Sequence, residues 1–493
     1  MPKTIPEGVS TVYLLPIGGT LAAPLAGLLL EKGLRVEGSD LPLYPPMSTL
    51  IASMGIVPRP GWDPRNIDGS VDLVIIGNAV PRSNPEVVSV LERDLCYASM
   101  PEALGKLVLA GRRPVVVAGT HGKTTTTSLA AWLLDAAGLD PGFLVGGVPI
   151  GFGTSYRLGS GAPFVIEGDE YNTAFFDRGA KFLHYAPSIA VITHVEFDHG
   201  DIYPDIEAIE REFEKLIALV PPGAAGGTLI ACADAPRAAA LAARTRPDAI
   251  TYGMGEGARY RASKVEATEA GMRFHLAVDG QDAGDFVLGL SGEHNVKNAL
   301  AALAAARACG ASWERLREGL RSFDGVKRRL EERGAPGGVL VIDDFAHHPT
   351  AVRETLKAAR LRYPSRRIHA LFEPRSLTSG RNMFHDGYVE AFAFADRVSF
   401  APAFHRGRLT EDQRLDFAPL AAELTSAGTE AATFPTIEAL VDDAVAAARP
   451  GDVLLFMSSG SFGSAIERAL AGLQSVGQQI EDVSPPRSRT CGG

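Results

Sequence analysis

The run GTHGKTTTT at 119–127 follows an apolar, β-branched stretch and opens a helix-forming one. Backbone N–H groups at such a junction, with the positive end of the helix, can hold a polyphosphate. Lys123 can reach the β- and γ-phosphates, and the Thr124 hydroxyl can ligate Mg²⁺. The expected ATP-binding set is Gly119, Thr120, His121, Gly122, Lys123, Thr124 and Thr125. The usual phosphate loop carries a glycine five residues before Gly122, where this chain has Val117, so the loop is shortened and starts at Gly119. A Gly/Thr-rich turn that only caps a helix is the bland alternative.

Other clusters could do chemistry too. FVIEGDE at 164–170 sets three carboxylates at the end of an apolar strand, where Glu167 could bind a Mg²⁺ that bridges phosphates. A solvated acidic loop would read the same way. In THVEFDHGD at 193–201, Asp198 and His199 follow another strand and could contact a second Mg²⁺, although surface loops often carry such pairs. GEHNVKN at 292–298 is a polar helix start in which Asn298 could be a cap. DGVKRRLE at 324–331 reads as a charged linker. IDDFAHHP at 342–349 ends a strand in two carboxylates and two histidines, a pattern that invites a zinc reading. In FEPRS at 372–376, Arg375 suits bidentate grip of a carboxylate.

The elements that carry these residues alternate. A strand at 12–16 runs into Gly18, Gly19 and Thr20, then a helix at 21–32. A second strand ends at 38–40, placing Asp40 about 20 residues after the glycines, close to a dinucleotide fingerprint but without its Gly-x-Gly-x-x-Gly spacing. A strand at 73–76 leads to Gly77 and Asn78. A new unit begins near 110, with strands at 114–118, 164–167 and 189–193, a helix at 125–137, and short strands with turns over 255–290. A third unit has strands at 339–342, 368–372 and 453–457. The pattern predicts an α/β fold of mostly parallel sheets in three domains, 1–109, 110–325 and 326–473, followed by a disordered tail at 474–493.

Bulk composition excludes several classes. The 493 residues are 46% hydrophobic and 22% charged, with a net charge of −10 and no long basic run. A nucleic-acid surface is therefore not expected. Cys96, Cys232, Cys309 and Cys491 form no Cys-x-x-Cys pair, which fits a reducing compartment. Neither a signal core nor an apolar run of about 18 residues is present, so a cytoplasmic protein without membrane contact is expected.

GTHGKTTTT resembles the nucleotide loop of the Mur ligases, ATP-driven enzymes that join amino acids or peptides to UDP-muramic acid compounds. The likeness runs from about 17 to 463 and implies a Rossmann-like UDP-binding domain, a central ATPase domain and a C-terminal Rossmann-like domain. It implies Glu167 as a Mg²⁺ ligand, with Gly168 where the family usually has Ala, and His199 at the metal site with Thr124. His294 and Asn295 would lie at the ribose and adenine. At the Gly-x-x-Arg-Arg-like hinge, one arginine of 328–329 would reach ATP phosphate, with Arg328 as the candidate. Asp344 would contact the nucleotide, and His347 would lie near the transferred phosphate. Lys123, His199 and His347 form the implied catalytic set. Some family members carry a carbamylated lysine downstream; Glu214 and Lys215 occupy that neighbourhood.

Ile17, Gly18, Gly19 and Thr20, with Gly38, Ser39 and Asp40, resemble the family's UDP-muramate loops, and Asp40 and the Asn78 region are the candidate uracil contacts. Together with YPPMST at 44–49, VEFDH at 195–199 and FEPRS, they are similar to the branch that attaches L-Ala-γ-D-Glu-meso-diaminopimelate to UDP-N-acetylmuramate during peptidoglycan recycling. Arg375 would then hold the peptide. The implied cofactors are ATP and Mg²⁺, and the implied partners are those two small molecules, with the chain a monomer or weak homo-oligomer. An L-alanine ligase is the alternative within the family, and a non-catalytic UDP-sugar sensor the alternative outside it.

Overall fold

A computed structural model describes residues 4–44, 47–404 and 409–483. Pro45 and Pro46 of the YPPMST segment and the tail 484–493 lie outside the described residues. The chain forms two compact units, one of 1–290 with 294–326 and one of 291–293 with 327–493.

The first unit holds two large sheets. The N-terminal one has five parallel strands in the order Arg59–Pro60, Arg35–Asp40, Thr11–Leu15, Leu73–Ile76 and Tyr97–Ser99. The apolar strand Thr11–Leu15 is buried at every position, as a strand covered on both faces must be. The chain leaves it on one side toward Arg35–Asp40 and later returns on the other through Leu73–Ile76. That reversal of strand order creates a crevice at the carboxyl ends, the usual ligand position in such sheets.

The second sheet has ten strands. At its centre Arg113–Ala118 lies between Ile189–Ile192 and Pro163–Gly168, all parallel, with Ala118 opposite both Ile192 and Gly168. This register is what matters for function, because three adjacent strands end together. The β-branched run of Arg113–Ala118 is buried from Pro114 onward, as a central strand requires. Over 255–290 the strands are longer than the sequence suggests: Tyr260–Thr268, Gly271–Val278 and Gln281–Leu288 form an antiparallel extension. Their alternating buried and exposed residues fit one-sided cover.

The second unit carries a six-stranded sheet in the order Glu331–Gly334, Leu340–Asp344, Val453–Ser458, Ile368–Glu373, Arg397–Phe400 and Glu430–Thr433. All pairs but the first are parallel. The helix Ala465–Val483 differs from the expected disorder after 474. Its early apolar residues Ala465, Ile466, Ala469 and Leu473 are buried against the sheet, and the helix continues from that anchor.

Candidate active site

The phosphate-loop helix is Lys123–Ala136, two residues earlier than the sequence suggested. Its N-cap is Gly122, with φ +79°. A side chain there would be strained and would meet the Asn298 amide at 2.5 Å. Gly119, at φ +133°, leaves room for Thr193 and the His194 backbone, with which any Cβ would collide. The loop is tied to the neighbouring strand end. Thr120 N–H donates to the His194 carbonyl at 2.8 Å. The Thr120 hydroxyl accepts the Glu196 N–H at 2.9 Å, and the Thr193 hydroxyl donates to the His121 carbonyl at 2.6 Å.

Three strand ends then converge. Lys123 Nζ donates to the Gly119 carbonyl at 2.7 Å and to both Glu170 oxygens at 3.0 and 3.1 Å. Glu170, 2% exposed, also meets His199 Nε2 at 3.2 Å, and its backbone carbonyl accepts the Tyr203 hydroxyl. Lys181 holds Asp169 at 2.5 Å. Burial works against the charges of Lys123, Asp169, Glu170 and His199, but each is kept by its neighbours. Glu170 and Asp169 raise Lys123 above the usual lysine range. Burial would lower His199, yet Glu170 and Asp198 raise it to about 9. Burial would raise Asp169, yet Lys181 and Lys123 bring it down to about 2. His199 adopts φ +53°, which turns its ring back toward the cluster from a tight turn.

The ligand atoms of Asp169, Glu170 and His199 lie within 4.8 Å of one another; the two carboxylates suit a hard divalent cation, and His199 could join them only by giving up its proton. The sequence points to His199 at a second Mg²⁺, apart from Glu167 and Thr124, without naming the carboxylates beside it. Glu167 accepts the Gly146 N–H at 2.6 Å, and a Cβ on neighbouring Gly147 would lie 2.9 Å from the Thr124 methyl. Thr124 and Glu167 thus share the Gly146–Gly147 loop, while Asp169 and Glu170 join His199. Gly146, Gly147, Asp169, Glu170 and Lys181 were not singled out from sequence; the GDE carboxylates after the strand were the available signal.

The adenine-end candidates lie on the helix Glu293–Ala308. Asn298 is buried in its second turn rather than capping it. It accepts the Thr126 hydroxyl at 3.2 Å and donates to Asn295 Oδ1 at 3.2 Å, so Asn295 is oriented by the phosphate-loop helix. His294 stands on the same first turn. Lys215 is exposed on the helix Ile206–Leu219 and pairs with Glu212 at 2.6 Å.

In the N-terminal crevice Gly18 N–H donates to Asp40 Oδ2 at 2.7 Å, and a Cβ on Gly38 would lie 2.5 Å from the Leu14 carbonyl, a place only glycine fits. Gly19 begins the helix Ala22–Glu31 by accepting the Ala23 N–H, and Thr20 and Asn78 are exposed at the strand ends.

Within the second unit, Asp344 is 4% exposed and receives Leu330 N–H at 2.7 Å, Ala346 N–H at 2.8 Å and the Thr355 hydroxyl at 3.2 Å. One oxygen holds the turn that presents His347 and the other ties Leu330 to it. Burial raises its carboxyl, and Arg329 only partly offsets that. Arg328 is likewise engaged: it faces Asp343 at 3.5 Å, donates to the Ser458 and Gly460 carbonyls, and stacks on Phe345. Both residues therefore shape this loop. His347 Nδ1 faces the Phe345 carbonyl at 3.1 Å, and the Tyr388 hydroxyl holds its backbone at 2.6 Å. His348 caps the helix Pro349–Arg362 through Thr350 N–H, a structural duty that does not fit a zinc pair. Arg375 lies over Phe404 with its guanidinium carbon 4.1 Å from the ring centre. Glu373 steadies it at 3.3 Å, and Gly460 leaves it space.

Three family models match in succession: "Mur ligase family, catalytic domain" over 11–112, "Mur ligase middle domain" over 117–306, and "Mur ligase, glutamate ligase domain" over 328–460. The Escherichia coli UDP-N-acetylmuramate–L-alanyl-γ-D-glutamyl-meso-2,6-diaminoheptandioate ligase is 39% identical over 467 residues, covering 94% of this chain and 98% of that protein. A Salinibacter ruber UDP-N-acetylmuramate–L-alanine ligase is 35% identical over 95% of this chain and 96% of its own. The crystal structure of a murein peptide ligase from Psychrobacter arcticus superposes with a TM-score of 0.69 at 32% identity, covering 94% and 99% of the two chains. Among the described residues no helix is long and apolar enough to cross a membrane. Matched along nearly its whole length by relatives of this kind, the chain belongs to the Mur ligase family.

Proposed function

We propose that this chain is an ATP-dependent ligase that joins L-Ala-γ-D-Glu-meso-diaminopimelate to UDP-N-acetylmuramate, returning released wall peptide to the precursor pool. The observation that carries the ligase reading is the meeting of Lys123, Glu170 and His199 at the ends of three adjacent strands. Arg375, stacked on Phe404 and 30% exposed at its side chain, supports the peptide as acceptor. A guanidinium in that setting matches the carboxylates of diaminopimelate; the single carboxylate of L-alanine could also pair with it, so the choice of amine is decided by the competition below.

A carboxylate does not condense with an amine at neutral pH, so it must be activated. In this reading the lactyl carboxylate oxygen bonds to the γ-phosphorus of ATP while the bond to ADP breaks. The L-Ala amine then attacks the acyl carbon, phosphate leaves, and the amine proton is lost. Mg²⁺ would neutralise charge on the phosphates, and the Asp169, Glu170 and His199 set fits it, with Thr124 and Glu167 as a second candidate pair. Lys123 and the amides of 119–124 hold the polyphosphate in line. Asn295 and His294 orient the nucleoside. His347 stands near the transferred phosphate, with Arg328 and Asp344 fixing its loop. Gly18, Gly19, Thr20, Asp40 and Asn78 hold the UDP portion.

Phosphate release from ATP with Mg²⁺ and UDP-N-acetylmuramate tests this, offering either the tripeptide or L-alanine. Release with the tripeptide alone, with a product of the expected mass, is the anticipated result. Comparable release with L-alanine would move the assignment to the alanine ligase, which the Salinibacter relative keeps in contention. Binding of UDP-N-acetylmuramate with no release for either amine would favour a sensor.

A further inference from the structure

Glu86 is wholly buried and belongs to none of the phosphate, metal or peptide groups described. It sits in the first turn of the helix Pro85–Glu92, whose cap Asn84 accepts its N–H at 2.9 Å. Its carboxylate receives the Ser39 hydroxyl at 2.5 Å, the Asn66 amide at 2.9 Å and the Tyr13 hydroxyl at 3.1 Å. Four separate segments therefore meet on one carboxylate: the strands Thr11–Leu15 and Arg35–Asp40, the turn Pro64–Asn66, and its own helix. Burial pushes the carboxyl up, while the Ser39, Asn66 and Tyr13 donors hold it back. The helix N-terminus favours the charge.

What Glu86 holds is next to the glycine turn. The Ser39 carbonyl accepts Ile17 N–H at 3.0 Å, and Asp40 accepts Gly18 N–H at 2.7 Å. Ser39 and Asp40 thus grip the turn at two points, and the Ser39 side chain is itself gripped by Glu86. A core built only for stability would do as well with apolar residues, since a buried charge costs desolvation. A carboxylate that accepts three donors instead fixes the direction of each.

We propose that Glu86 is a positioning residue for the sugar nucleotide: by anchoring Ser39 it keeps the turn at Ile17–Gly18 shaped to receive the UDP portion of the substrate. The inference rests on the UDP-N-acetylmuramate reading above. Glu86→Gln keeps the side-chain shape but turns one acceptor into a donor facing a hydroxyl. Ser39→Ala cuts the same link from the other end and disturbs the core less, so it carries the test if Glu86→Gln does not fold.

The experiment measures kcat and KM for each substrate, with calorimetric Kd for UDP-N-acetylmuramate. Each variant should raise the UDP-N-acetylmuramate KM and Kd about tenfold, the loss of roughly one charge-assisted hydrogen bond. KM for ATP and kcat should stay put, and the double variant should be no worse than the poorer single one. Folded variants with unchanged UDP-N-acetylmuramate affinity would overturn the proposal, as would a uniform loss matching the fraction unfolded. A wild-type protein that binds no UDP-N-acetylmuramate would bring down the underlying reading and this inference with it.

Discussion

Replacing Lys123 with alanine should remove far more activity than stability. Its ammonium lies 3.0 Å from a Glu170 oxygen, a gross attraction of about 5 kcal/mol at an effective dielectric near 20. Most of that is offset by desolvation, because the Glu170 side chain is 3% exposed and the Lys123 side chain 16%. Breaking a fully buried pair costs roughly 3–5 kcal/mol by stranding the remaining charge. Here Glu170 keeps His199 at 3.2 Å, a partner still protonated at neutral pH, so the folding loss should be nearer 2 kcal/mol. The catalytic loss has a different origin. Removing one fixed positive group aimed at developing charge costs about 3–4 kcal/mol, or up to a thousandfold in kcat.

The two losses can be separated. In Lys123→Ala/Glu170→Gln no carboxylate is stranded, so thermal stability should recover toward wild type while phosphate release should not. Thermal unfolding and single-turnover phosphate release on the same preparations decide it. Near-normal turnover in Lys123→Ala would refute the reasoning. So would turnover that returns with stability in the double variant, because Lys123 would then be only the counter-ion of Glu170.

Three further outcomes are expected. Gly122→Ala, strained at φ +79° and pressed on Asn298, should lower stability by about 1–2 kcal/mol and raise the KM for ATP, read by unfolding and steady-state kinetics. Arg375→Lys keeps the charge but loses the planar fork, so the tripeptide KM should rise about tenfold or more with the ATP KM unchanged. His369 is wholly buried against Ser399; burial first, then Arg397 and Arg367, lower it to about 3. The unfolded chain takes up a proton below about 6.5 and the folded one does not, so stability is intact above that pH and falls as pH drops toward 3. Between pH 6.5 and 5 this group should cost about 2 kcal/mol, and the stability gap between wild type and His369→Gln should shrink over that interval.

The parts legible in the sequence are those set by local pattern. Buried strands show as β-branched runs, and a glycine where φ must be positive marks a loop, so 114–124 could be read directly. Partners chosen by long-range register could not. Nothing near Glu167, Asp169 and Glu170 says which carboxylate faces His199; that depends on Ile189–Ile192 ending level with Pro163–Gly168 across Arg113–Ala118. Lys181 reaches Asp169 only because the hairpin of Asn172–Ala174 and Asp177–Ala180 folds back. Arg328 and Asp344 look poised for a ligand in sequence, and nothing local announces the backbone donors and carbonyls that also hold them. Glu86 reads as an ordinary helix-start acid until four segments close around it.

On the proposed function, the cluster around Lys123 would also constrain the order in which charge can enter. Lys123, Lys181 and His199 supply three positive charges against the four carboxylates of Glu167, Asp169, Glu170 and Asp198. The balance is about one negative charge, and each cation already has a carboxylate partner. A triphosphate arriving alone would bring about four negative charges to a site with no net positive charge to oppose them. For Lys123 to reach a phosphate it must give up Glu170, whose carboxylate then needs another cation. Mg²⁺ arriving with the nucleotide meets both needs, since it offsets phosphate charge and can take the place of Lys123 on Glu170. A lysine from one strand end therefore works only with carboxylates from the next and a histidine from the third.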